Sequence, residues 1–126
     1  MHFPDDLYYT REHEWLRLSS DGEGIVGITD YAQSQLGDIV YVDIPTVGQT
    51  LEAGAVFGSV EAVKTVSDLY LPVSATILEK NPLLDTQPEK VNQDPYGEGW
   101  MIRIRILDPS QVSQLLRADA YQTLIA

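Results

Sequence analysis

The stretch Ala55–Val73, reading AVFGSVEAVKTVSDLYLPV, leaves this chain the least freedom. β-Branched and aromatic side chains dominate it, and these favour a pleated, half-buried strand. It is much longer than a usual strand of about 5–6 residues, so the chain has to turn back near its middle. Yet residues 59–66, Ser-Val-Glu-Ala-Val-Lys-Thr-Val, contain no Gly, Pro, Asn or Asp. Tight hairpin turns ordinarily draw on those residues for positive φ. A turn without its usual chemistry is a local inconsistency of the kind found at functional sites. A helix is the competing reading, because Val60, Val63 and Val66 lie three apart; the valine content weighs against it.

Most of the remaining chain also reads as short strands between turn residues. Trp15–Leu18 leads into a turn at Ser20-Asp21-Gly22, Gly24–Thr29 follows, and Ile39–Ile44 is stopped by Pro45. In Trp100–Ile106 the apolar residues 100, 102, 104 and 106 share one face and Arg103 and Arg105 the other. Two helices interrupt the pattern. Asp30 is placed to cap a short helix near 30–36, with Gln33 completing a box-like cap and Gly37 just past its end. Asp108 precedes Pro109, which suits a first helical position, and Gln111 stands at the reciprocal capping position. Val112, Leu115 and Leu116 then form the apolar stripe of a C-terminal helix. The expected fold is mainly β, a small antiparallel barrel or sandwich with these two helices. With no linker and no repeat, residues 1–126 read as a single domain.

Charge restricts the function. Nineteen acidic residues against eight basic ones leave a formal net charge of −11. Such a surface repels phosphate backbones and anionic membranes, which argues against nucleic-acid binding and membrane docking. Basic patches on protein partners would complement it; solubility alone explains it equally well. The N-terminus lacks a secretory or Arg-rich leader pattern and no apolar run approaches membrane-spanning length, so the expectation is a soluble cytoplasmic protein.

With no cysteine there is no disulfide and no thiolate metal site. His13-Glu14-Trp15-Leu16-Arg17 lacks the second His of a zinc motif, so no metal is expected. The pairs Gly22-Glu23-Gly24 and Gly97-Glu98-Gly99 read as turns, and Tyr96 and Trp100 as packing residues.

Lysine is scarce. Lys80 and Lys90 lie in polar stretches that read as solvated loops, whereas Lys64 is flanked by apolar residues in Val63-Lys64-Thr65-Val66. If the chain turns there, the amine stands on a rigid exposed tip, open to a modifying enzyme. A charged gatekeeper at a strand end accounts for the pattern as well.

The segment Val60-Glu61-Ala62-Val63-Lys64-Thr65-Val66-Ser67-Asp68-Leu69-Tyr70 resembles the lipoylation hairpin of glycine cleavage H proteins. Three further blocks resemble the same family: Tyr9–Trp15, Val26–Gln33 and Asn92–Trp100. Asp119-Ala120-Tyr121 also fits, so the resemblance spans nearly the whole chain. Two positions depart from it. Ala75-Thr76 stands where the family usually has Gly-Glu, which leaves the backbone after Pro72 open, and Ala62 replaces a small polar residue.

The resemblance implies a flattened barrel or sandwich of two antiparallel sheets, of the lipoyl- and biotinyl-carrier type. It implies lipoate joined to Lys64 by an amide, Glu61 as the residue by which the lipoylating enzyme selects its target, and Glu14 and Asp68 as candidates for a cleft that shelters the arm. The carrier would itself be no enzyme. It would accept an aminomethyl group from glycine decarboxylase, deliver it to a tetrahydrofolate-dependent aminomethyltransferase, and pass electrons to dihydrolipoyl dehydrogenase. For Glu14 a solvated strand-end charge is the plainer alternative, and for Asp68 a polar residue after the turn.

Among rival functions, a biotinyl carrier usually has methionine on both sides of its lysine, whereas here the neighbours are Val63 and Thr65. Lipoyl domains of 2-oxo acid dehydrogenases are shorter and tethered by linkers. A lipoate relay to other lipoyl proteins and an unmodified β-rich interaction protein remain open.

Overall fold

Short apolar runs between turns form nine strands in the computed structural model, which describes all residues 1–126. In chain order these are β1 (Tyr8–Tyr9), β2 (Glu14–Leu18), β3 (Glu23–Ile28), β4 (Ile39–Asp43), β5 (Thr50–Leu51), β6 (Val56–Ala62), β7 (Val66–Tyr70), β8 (Ala75–Lys80) and β9 (Ile102–Ile106). The α-helices are α1 (Asp30–Leu36), α2 (Leu83–Thr86), α3 (Lys90–Gln93) and α4 (Ala118–Ile125). A six-stranded sheet runs β1-β2-β3-β9-β8-β5 and a three-stranded sheet runs β4-β6-β7. Every pairing is antiparallel. The two-sheet expectation holds, but the sheets stay separate and do not close into a barrel.

Successive strand residues point to opposite faces. In β2, Trp15 and Leu16 are both 0% exposed, so this sheet is covered on both sides. On one side Leu16, Val26, Ile102 and Ile104 join Val42, Phe57, Val60 and Leu69 of the smaller sheet in the main core. On the other, Trp15 packs with Leu7, Tyr9, Ala118 and Tyr121 in a second cluster. The Tyr9 and Tyr121 rings stack there at 4.8 Å.

The stretch Ala55–Val73 does fold back, as β6 and β7. Ala75 is fully buried in regular register with Leu51 and Ile106 and has no positive φ, so the backbone there does not need glycine.

Several local expectations need correction. The N-cap of α1 is Thr29, whose hydroxyl accepts the Ala32 N–H at 3.1 Å; Gln33 instead donates to the Asp30 carboxylate at 2.7 Å. Asp108 does cap the turn that begins at Pro109, but Pro109–Gln114 is a 3₁₀ helix. Gln111 does not reach back to the cap: its side-chain oxygen accepts the Ser74 N–H at 2.7 Å. The helix cannot continue through Leu116 because that residue exchanges both backbone hydrogen bonds with Tyr9, and the C-terminal helix starts only at Ala118. Lastly, Lys80 ends β8 and Lys90 opens α3, so neither lies in a loop.

Gly27 pairs with Trp15, and a Cβ there would stand 2.7 Å from the indole Cζ2. The indole cannot move aside, because its N–H donates to both the Ile28 and Pro95 carbonyls, at 2.9 and 3.0 Å. Gly27→Ala is therefore expected to destabilise the fold by about 1–3 kcal/mol, read as a lower urea midpoint.

Candidate functional site

The β6–β7 hairpin turns at Val63-Lys64-Thr65. Outside glycine, positive φ occurs only at His13 and Asp21, so the tip turns without it. Inside the hairpin, the Ala62 N–H donates to the Thr65 carbonyl at 2.7 Å; from outside, the Asp38 carbonyl accepts the Val63 N–H at 3.1 Å. Val63 is 76% exposed, far from the usual state of a valine.

Lys64 is exposed and enters none of the ion pairs of the chain, whereas Lys80 pairs with Asp85 and Lys90 with Glu98. Its stem lies over Gly37, the left-handed residue that ends α1: a Cβ on Gly37 would stand 3.5 Å from Lys64 Cε.

Glu14 shares the Leu16 face of β2 and lies at its end. It is only 2% exposed, so the solvated strand-end reading fails. The tight turn between β1 and β2 builds its pocket. His13, at φ 73, closes that turn, with its N–H donating to the Thr10 carbonyl at 3.2 Å. The Thr10 hydroxyl accepts the Glu14 N–H at 3.1 Å and donates to Glu14 Oε1 at 2.7 Å. Glu14 Oε2 accepts the Tyr70 N–H at 3.2 Å, tying the turn to the far end of β7. Burial pushes the Glu14 carboxyl up from 4.5 to about 8, against these hydrogen bonds, and nearby Glu12 adds to the rise.

Beside Glu14 opens a cleft of about 210 Å³ between the β1–β2 turn, α1 and the β6–β7 hairpin. Glu12, His13 and Glu14 line one wall, Tyr31 and Gln35 a second, and Ser67 and Asp68 a third. Asp68 is exposed, so its carboxylate sits where the cleft meets solvent. Glu61 is not part of this wall. It lies on the exposed face of the smaller sheet, between Tyr41 and Val66. No group of three or more His, Asp or Glu side chains is arranged to hold a metal ion.

No local sequence pattern marks the wall behind His13. The His13 Nδ1 and the Tyr121 hydroxyl lie 2.9 Å apart, and that hydroxyl lies 2.8 Å from Thr29 Oγ1. Burial holds His13 below its usual range, favouring the neutral ring. The C-terminal helix thus braces both the turn that carries Glu14 and the start of α1. Tyr96 likewise does more than pack, since its hydroxyl donates to the His2 carbonyl and accepts the Asp30 N–H. The signal for these roles was membership of the segments Tyr9–Trp15, Val26–Gln33, Asn92–Trp100 and Asp119–Tyr121.

A family model described as glycine cleavage H-protein matches residues 7–126. The chain is 58% identical to the glycine cleavage system H protein of Bacteroides thetaiotaomicron, over 99% of this chain and 98% of that protein. It is 57% identical to that of Chlorobium limicola with the same coverage. Among solved structures, the glycine cleavage system H protein of Mycobacterium marinum superposes with a TM-score of 0.88 at 40% identity, covering 96% of this chain and 97% of that one.

The raised Glu14 pKa has a consequence for stability. The folded state holds this proton more tightly than the unfolded chain, so its contribution is full below about pH 4.5 and is lost as pH rises towards about 8. Urea unfolding of Glu14→Gln across that window should give a flatter stability–pH curve than wild type, by up to about 1 kcal/mol per pH unit.

Proposed function

The chain belongs to the glycine cleavage H-protein family, and from that premise we propose that it is a lipoyl carrier, with lipoate joined through an amide to the amine of Lys64. The carrying observation is the exposed, unpaired Lys64 at the tip of a hairpin that also walls an acid-lined cleft. When bound, lipoate supplies a disulfide that takes up an aminomethyl group with two electrons. The protein is the carrier component between glycine decarboxylase, the tetrahydrofolate-dependent aminomethyltransferase and dihydrolipoyl dehydrogenase, and is not itself an enzyme. We assign residues 1–126 to one lipoyl-carrying domain that works as a cytoplasmic monomer; no helix is long and apolar enough to cross a membrane.

The residues of this chain divide the work. Acylation of Lys64 removes one positive charge and takes the formal net charge from −11 to −12. Glu61, exposed on the strand that leads to the tip, is the contact by which a lipoylating enzyme selects Lys64 over Lys80 and Lys90. Glu14 receives a cationic amine entering the cleft. Its carboxyl is held largely neutral near pH 7 by burial, and an incoming cation favours the carboxylate. The charge-assisted hydrogen bond that results is stronger than a neutral one. Asp68, at the solvent edge, draws the cation in without the same desolvation.

Incubation with lipoate, ATP and a lipoate ligase tests the assignment, read by intact mass and peptide mapping. Wild type, Lys80→Arg and Lys90→Arg should each gain one lipoyl group, and Lys64→Arg none. A lipoyl group on another lysine, or none on wild type, overturns it. For the cleft, the aminomethyl-loaded arm should hydrolyse roughly tenfold faster in Glu14→Gln, the value of one charge-assisted hydrogen bond of about 1.5 kcal/mol; equal rates would remove Glu14 from the mechanism.

A further inference from the structure

We propose that Asn92 is a positioning residue for Lys64, acting through the loop that follows α1. The inference rests on the lipoyl reading above. The tip Val63-Lys64-Thr65 has none of the residues that set a tight turn. Its shape is therefore imposed by neighbours, and the only backbone bond it receives from outside the hairpin is Val63 N–H to the Asp38 carbonyl.

Asp38 sits in the short loop between α1 and β4, and one side chain holds that loop on both sides. The Asn92 amide donates to the Gly37 carbonyl at 2.8 Å and to Gln33 Oε1 at 3.0 Å, while its oxygen accepts the Ile39 N–H at 2.9 Å. Both atoms of the amide are thus committed to the residues that flank Asp38 and to the last turn of α1. Gly37 adds the second link, because the Lys64 stem rests over it.

Asn92 is itself fixed from below. Val91 is 0% exposed, and Gly99 folds so closely over α3 that a Cβ there would meet the Lys90 carbonyl at 2.5 Å. The block Asn92–Trp100 thereby has a purpose that lies outside both the cleft and the modified lysine. It anchors the brace that aims the tip.

Loss of the brace leaves a tip with one internal hydrogen bond. A modifying enzyme then works on the fraction of molecules that present the amine correctly, so its KM for the protein rises by the inverse of that fraction while kcat is unchanged.

Asn92→Ala in the full chain tests this with two readouts. Amide hydrogen exchange at Val63 should be about fivefold or more faster, the value of one net hydrogen bond, while the core amides of Val60 and Ile104 keep wild-type protection. The KM of a lipoate ligase for the folded variant should rise by a similar factor at constant kcat. If Asn92→Ala does not fold, Gln33→Ala, which removes one of the three bonds, should show the same pattern with a smaller shift. Wild-type exchange at Val63, or a fall in kcat at constant KM, overturns the inference. A wild type that accepts no lipoate defeats the lipoyl reading instead, and the exchange at Val63 still decides whether Asn92 braces the tip.

Discussion

Consecutive residues of a strand point to opposite faces, and in β2 both Trp15 and Leu16 are sealed from water. A sheet with apolar side chains on both faces needs two covers. The three-stranded sheet covers one face, and α4 with the N-terminal segment covers the other. The placement of the site follows from this double burial. Where the smaller sheet ends, the β1–β2 turn, α1 and the β6–β7 hairpin meet without closing, and the gap between them is the cleft.

That geometry also sets the electrostatics. Glu14 shares the face of Leu16, so the pairing that buries Leu16 draws a carboxylate to the edge of an apolar core. Thr10 and the Tyr70 N–H satisfy its oxygens, but hydrogen bonds do not fully replace water for a charge, and the proton is held to about pH 8. Asp68, exposed across the same cleft, stays in water. Two acidic side chains on one cleft thus differ in their exposure to water.

Lys64 illustrates the opposite economy. Its hairpin projects from the smaller sheet so that Val63 and Val66 remain in water, and the tip is steadied by the loop after α1. Exposure makes the amine accessible, and the outside hydrogen bond limits how far it wanders. A flexible glycine turn would supply the first property without the second.

Much of the fold could be read from local pattern. Strands β2, β3, β4 and β9 showed as apolar runs between turn residues, the need for a hairpin within Ala55–Val73 in its length, the end of α1 in Gly37, and the start of the last 3₁₀ turn in Asp108-Pro109. Lys64 stood out because apolar neighbours surround it, and that is a local property too. What local pattern misses is whatever depends on contact between distant segments. The Thr29 hydroxyl that caps α1 in place of Asp30 also meets the hydroxyl of distant Tyr121, and the Pro109 helix ends because Leu116 pairs with Tyr9, more than a hundred residues earlier. The burial of Glu14, the Tyr121 brace behind His13 and the hold of Asn92 on the Gly37–Ile39 loop all join positions far apart in the chain. Periodicity and turn chemistry act over a few residues, so they marked the longer strands, α1 and the apolar setting of Lys64. The protonation of Glu14 and the bracing of the tip came from the fold, because desolvation and bracing depend on which distant surfaces come to cover them.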